Sequence, residues 1–181
     1  MRIQWNYYFM AMAKLAATRS GCNSRPTGAV IIKDNRIIST GYNGTIAGMP
    51  QCTDHGSTYC LRRIRTPDDS GGLKYQECPS IHAEQNAINQ VASIGGIGLK
   101  GSSIYCTLQP CIFCLKNIVS VGIQKIYYEL PYKSNDPERD KYWTEQIKIF
   151  GLFAEQIPYS PAFQKIMKNF LFDVTSQRRL E

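Results

Sequence analysis

The 181-residue sequence contains no long apolar run. Stretches such as Ala29-Val30-Ile31-Ile32 or Ile118-Val119 fall far short of the roughly 20 residues a membrane helix needs. No secretory leader is visible, because Arg2, Asn6 and Lys14 interrupt an N-terminal segment that reads as an amphipathic helix. No internal repeat, low-complexity tract or linker divides the chain, so a single domain over residues 1–181 is expected. Acidic residues are outnumbered, 14 against 21 basic, for a formal charge of +7. The imbalance is concentrated in residues 1–40, where Arg2, Lys14, Arg19, Arg25, Lys33 and Arg36 are set against Asp34 alone. Such an excess suits an anionic partner, a nucleotide or a nucleic acid, once a pocket exists for it. Cysteine is plentiful instead, at seven. Without a leader these thiols point to a reducing compartment, the cytoplasm (of a host, if the source is viral), and to metal binding or catalysis rather than disulfides.

The periodicity describes an α/β chain. Trp5, Tyr8, Phe9, Met12, Leu15 and Ala16 recur at helical spacing, with Gly21 as a stop signal. Two β-rich runs follow, Thr27–Lys33 and Arg36–Tyr42, and Asp34-Asn35 between them predicts a hairpin. Residues 43–79 show no clear period, and a structureless stretch of that length inside a domain is usually functional. A helix is predicted over about 81–94, a buried strand over Ser102–Thr107, a helix from Pro110 to about Val121 and a strand over Lys125–Leu130. The tail suggests a helix after Asp140, a strand near Leu152–Ile157 and a terminal helix from Pro161. Strands alternating with helices argue for a layered, partly parallel sheet.

Two motifs carry chemistry. His82-Ala83-Glu84 opens one predicted helix, and Pro110-Cys111-Ile112-Phe113-Cys114 opens another directly after a strand. Residues three apart share a helix face, so Cys111 and Cys114 can grip one ion. A helix N-terminus favours the thiolate form, and Pro110 suits a first helical position. One imidazole and two thiolates leave a tetrahedral zinc with one open position, which marks a catalytic site. Zinc lowers the pKa of water at that position, and Glu84, two residues from the histidine, is placed to move the proton. The competing reading is a redox Cys-x-x-Cys beside an incidental His-x-Glu.

His-x-Glu followed by Pro-Cys-x-x-Cys is the signature of zinc nucleobase deaminases. Together with Gly28-Ala29-Val30-Ile31-Ile32, Gly41-Tyr42-Asn43-Gly44 and His82–Ile88, it makes the sequence resemble the deoxycytidylate (dCMP) deaminases of the zinc-dependent cytidine deaminase superfamily. The likeness runs from Trp5 to about Tyr132, is loosest over an insertion at about 45–80, and leaves a divergent tail at about 133–181. Competence-operon proteins of Gram-positive bacteria share the pattern.

The resemblance implies a three-layer α/β/α fold with a mixed, mostly five-stranded central sheet. It implies catalytic zinc on His82, Cys111 and Cys114, and Glu84 as proton shuttle for hydrolysis of dCMP at C4 to dUMP and ammonia, supplying thymidylate synthesis. Ala83 and Asn43 would touch the substrate, Asn43 at the sugar, although Asn43-Gly44 alone reads as a turn. Arg25 would meet the phosphate, unless it is a solvated surface residue. Tyr132 would line the pocket or else pack. A second, structural zinc would draw on Cys22, Cys52, Cys60 and Cys78, with Asp54 and His55 as alternative ligands and free thiols as the competing state. Cys106 reads as buried in a strand. A homohexamer activated by dCTP with Mg²⁺ and inhibited by dTTP is also implied. A tRNA deaminase, a free-nucleoside or base deaminase, and a non-catalytic competence-type nucleotide binder are the alternatives. The concentration of basic charge in the first 40 residues, with Arg25 beside the expected pocket, favours a mononucleotide phosphate over a nucleic-acid track.

Overall fold

A computed structural model describes residues 3–65, 78–95, 98–132 and 137–158, and beyond them 161, 163–165 and 168. The elements in order are α1 (Trp5–Ala17), β1 (Gly28–Lys33), β2 (Arg36–Tyr42), β3 (Gly44–Thr45), a 3₁₀ turn (Cys52–His55) and α2 (Leu61–Arg65). There follow β4 (Ser80–Ile81), α3 (Ala83–Ser93), β5 (Ser103–Leu108), α4 (Ile112–Ser120), β6 (Lys125–Leu130), α5 (Pro137–Ile149) and β7 (Phe153–Gln156). Five strands form one sheet in the order β2-β1-β5-β6-β7. β1 pairs antiparallel with both β2 and β5, while β5, β6 and β7 run parallel, so the sheet is mixed.

Alternation along the strands builds the two cores. Ala29 and Ile31 of β1, Ile104 and Cys106 of β5, and Ile126 of β6 pack with Ala83, Ala87 and Val91 of α3, Leu115 and Ile118 of α4 and, less deeply, Trp143 and Ile147 of α5. Val30, Ile32 and Tyr105 point the other way, onto Phe9, Met10 and Ala13 of α1 and onto Phe163. Helices therefore cover both faces in the expected three-layer arrangement. Asp34 and Asn35, at φ of 50° and 58°, make the β1–β2 hairpin a two-residue turn with both central residues left-handed. Asp and Asn tolerate this because their short side chains bond locally.

Differences from expectation are local. α4 begins at Ile112 with Cys111 as its N-cap, so Pro110 lies outside the helix, fully buried, instead of occupying the first helical position. α5 begins at Pro137, before Asp140, because a proline at the first turn loses no helical hydrogen bond. The register of β1 on β2 shifts between Ile31 and Ile32, a bulge that leaves no trace in the composition. The unpatterned 43–79 stretch contributes β3, the 3₁₀ turn and the single-turn α2, and β3 pairs antiparallel with β4. Residues 66–77 of the insertion, Arg2 and most of the terminal segment lie outside the described residues. Helical backbone is present at 161, 163–165 and 168.

Candidate metal centre and active site

Two helix N-termini converge on the site. His82 caps α3 and Cys111 caps α4 in extended conformation, and neither side chain makes a capping hydrogen bond. They turn toward each other instead. Nδ1 of His82 lies 3.5 Å from Sγ of Cys111 and 3.3 Å from Sγ of Cys114. Tetrahedral zinc, about 2.3 Å from sulfur and about 2.0 Å from nitrogen, holds such atoms roughly 3.5 Å apart. All three donor atoms lie within 4.8 Å of one another, and among the described residues no other set of three or more metal-binding side chains closes this tightly. The donor set, one imidazole and two thiols with Cys114 fully buried, fits zinc with a position left over.

Cys111 is held down to about 4, first by the hydrogen bond from the Cys114 thiol and then by His82. The same hydrogen bond, with burial, pushes Cys114 up. His82 is raised by its hydrogen bond to Cys111 against the effect of burial. Glu84, in the first turn of α3, is only 4% exposed, and burial pushes its carboxyl up to about 7. A carboxyl near neutrality both takes and gives a proton at working pH.

The helix carrying His82 and Glu84 is tied to β2 along its length. Ser39 Oγ donates to Ala87 O at 2.8 Å, Gln90 Oε1 accepts from the Thr40 N–H at 3.0 Å, and Asn86 Nδ2 donates to Tyr42 O at 2.8 Å. Gly41 allows the approach, since a Cβ there would run into Ala83 O and Ala87 N.

The pattern is shared with known proteins. The family model of the cytidine and deoxycytidylate deaminase zinc-binding region matches residues 3–130. The chain belongs to this deaminase family. It is 38% identical over 160 residues to ComE operon protein 2 of Bacillus subtilis, covering 86% of this chain and 72% of that one. It is 35% identical over 136 residues to a deoxycytidylate deaminase of Saccharomyces cerevisiae, covering 75% of this chain but only 41% of the yeast protein. A crystal structure of the dCMP deaminase from cyanophage S-TIM5, in complex with dCMP and dUMP, aligns at a TM-score of 0.63 and 26% identity, over 87% of this chain and 99% of that one.

The other residues singled out from the sequence lie in different surroundings. Ala83 is fully buried between His82 and Glu84. Asn43 follows β2 directly, with its amide bonded to Ser20, Arg25 and Thr27. Tyr132 lines a cavity of about 250 Å³ together with Cys111, Asp140, Trp143 and Thr144. Gln109 places it there, its Oε1 accepting from the Tyr132 N–H at 3.0 Å. Arg25 is exposed and lines a larger cavity of about 530 Å³ with Lys14, Thr107 and Glu129, which includes none of the three metal-binding side chains.

Cys52 and Cys60 are buried, Cys22 and Cys78 half-buried. Burial pushes the Cys78 thiol up, and Cys22, Cys52 and Cys60 add to the effect through their charge, so the four share a neighbourhood without forming a set within 4.8 Å. The alternative ligands are engaged elsewhere. Asp54 accepts from the Gln51 N–H at 2.8 Å, and the His55 ring lies against Tyr59 at 4.6 Å. Cys106 is fully buried in β5, as expected. Sequence reasoning missed Gln109, Ser20, Trp143 and the Lys14–Glu129 pair, because each acts through a partner distant in the chain. No described helix is long and apolar enough to cross a membrane.

Proposed function

We propose that the chain catalyses hydrolytic deamination of dCMP to dUMP and ammonia, providing dUMP for thymidylate synthesis. The observation that carries the reading is the buried Glu84 carboxyl beside a His82/Cys111/Cys114 donor set of zinc-binding geometry. Zinc, when bound there, activates water for attack on the ring. Glu84 takes the proton released in the attack and delivers it to the departing nitrogen.

Asn43 donates a hydrogen bond to the sugar hydroxyl, Ala83 and Tyr132 bound the base, and Arg25 pairs with the 5′-phosphate through its planar fork. Cys22, Cys52, Cys60 and Cys78 close on a structural zinc when the metal is present, a reading supported by their shared neighbourhood. By resemblance the enzyme is a cytoplasmic homohexamer, activated by dCTP with Mg²⁺ and inhibited by dTTP. The second reading, a non-catalytic nucleotide binder, is kept because the chain is also similar to ComE operon protein 2.

Turnover of dCMP, cytidine and a tRNA by zinc-replete protein, followed by loss of cytosine absorbance, tests the first reading. dCMP alone should be consumed. Absence of turnover with one or more zinc ions bound overturns it in favour of the second.

A further inference from the structure

Asn43 is held at every polar atom by the loop from Ser20 to Thr27. Its backbone N–H donates to Thr27 O at 3.1 Å and its carbonyl accepts from the Gly21 N–H at 3.2 Å. Its side-chain Oδ1 accepts from the Thr27 N–H at 2.8 Å and from Ser20 Oγ at 2.6 Å, and its Nδ2 donates to Arg25 O at 3.0 Å. The Thr27 N–H can only donate, so the side-chain oxygen must face the loop and the NH₂ must face away from that donor. One of the two Nδ2 hydrogens goes to Arg25 O. The other is the group Asn43 has to offer a ligand, and Asn43 is half-buried rather than enclosed.

Ser20 makes the shortest of these contacts and the only one from a side chain. Its hydroxyl can donate to Asn43 Oδ1 or to Asn43 O, the latter at 2.9 Å, while its oxygen accepts from the Cys22 N–H at 3.1 Å. That second bond fixes the lone-pair side of the hydroxyl and aims its proton at Asn43. Both rotatable angles of the asparagine are thereby constrained.

We propose that Ser20 is a positioning residue for substrate selection: its hydroxyl locks the Asn43 amide in the orientation that presents an N–H to the 3′-hydroxyl of the nucleotide. This rests on the proposed sugar contact of Asn43. dCMP has one free sugar hydroxyl, so an analogue lacking it, 2′,3′-dideoxycytidine 5′-monophosphate, reports the contact directly. A neutral hydrogen bond contributes about a two- to tenfold effect.

The test is the ratio of kcat/KM for dCMP to that for the dideoxy analogue, in the zinc-loaded enzyme. Asn43→Ala should bring the ratio close to one. Ser20→Ala should lower it by about three- to tenfold, mainly through KM for dCMP, and Ser20→Thr, which keeps the hydroxyl, should restore it. Ser20→Ala added to Asn43→Ala should change nothing further. A Ser20 that only stabilised the loop would lower activity on both nucleotides equally and leave the ratio untouched. If Asn43→Ala keeps the wild-type ratio, the sugar reading of Asn43 is wrong. If Asn43→Ala loses it while Ser20→Ala keeps it, the positioning role alone is overturned. Should Ser20→Ala not fold, Ser20→Cys, with a weaker donor, must still lower the ratio, and full retention overturns the proposal.

Discussion

Nζ of Lys14 reaches both carboxylate oxygens of Glu129, at 2.8 and 2.9 Å, joining the C-terminal half of α1 to the end of β6 across 115 positions of sequence. Glu129 is 3% exposed, whereas the Lys14 side chain keeps a third of its surface in water. Removing the lysine strands a buried carboxylate, which costs more than the pair's net worth. Lys14→Met should therefore destabilise the fold by about 2 kcal/mol, discounted from the value for a fully buried pair. Lys14→Met/Glu129→Gln should recover most of the loss. Urea unfolding of the three proteins measures both quantities.

Glu84→Gln keeps the size and burial of the side chain but removes the proton shuttle. Zinc content should stay at the wild-type level, while dCMP turnover falls by about 10²- to 10⁴-fold. Atomic absorption and a turnover assay on the same preparation decide it, and a zinc-replete variant with wild-type turnover refutes the role.

Cys111 and Cys114 offer two of the three donor atoms, so Cys111→Ala or Cys114→Ala should reduce bound metal by about one zinc per chain. Either change should also abolish turnover. If Cys22, Cys52, Cys60 and Cys78 hold a second ion, wild-type protein carries about two zinc per chain and Cys52→Ser lowers only that second equivalent. A wild-type content of one excludes the four-cysteine site.

Gly41 lies under α3, where an added Cβ meets Ala83 O and Ala87 N. Backbone atoms cannot swing aside, so Gly41→Ala must push α3 off β2 and carry His82 and Glu84 with it. Expected are a loss of about 2 kcal/mol or more in stability and weakened zinc binding. Thermal unfolding with and without added zinc tests this, and an unshifted midpoint contradicts the packing argument.

Strong local signals were legible in the sequence. Asp34-Asn35 named the hairpin because a two-residue turn demands residues that tolerate left-handed backbone. Lys125–Leu130 was bounded correctly because Ile126-Tyr127-Tyr128 is a β-rich run and Pro131 closes the strand. β3, β4 and α2 are two to five residues each, too short for a period to appear. Cys111 was assigned inside its helix because an N-cap and a first-turn residue share the same local preferences, and only backbone hydrogen bonds separate them.

By itself the sequence named the candidate metal-binding set and the carboxyl proposed as proton shuttle. Their spacing along two helix starts, His82 to Glu84 and Cys111 to Cys114, is a property of the local chain. Tertiary structure alone decided what the centre is held by. The Ser20 clamp on Asn43, the seat of Tyr132 on Gln109 and the contact of Gly41 with α3 join residues 23 or more positions apart. Hydrogen bonds and close packing of that kind follow from where separate elements dock, and docking leaves no periodicity in the residues that make it.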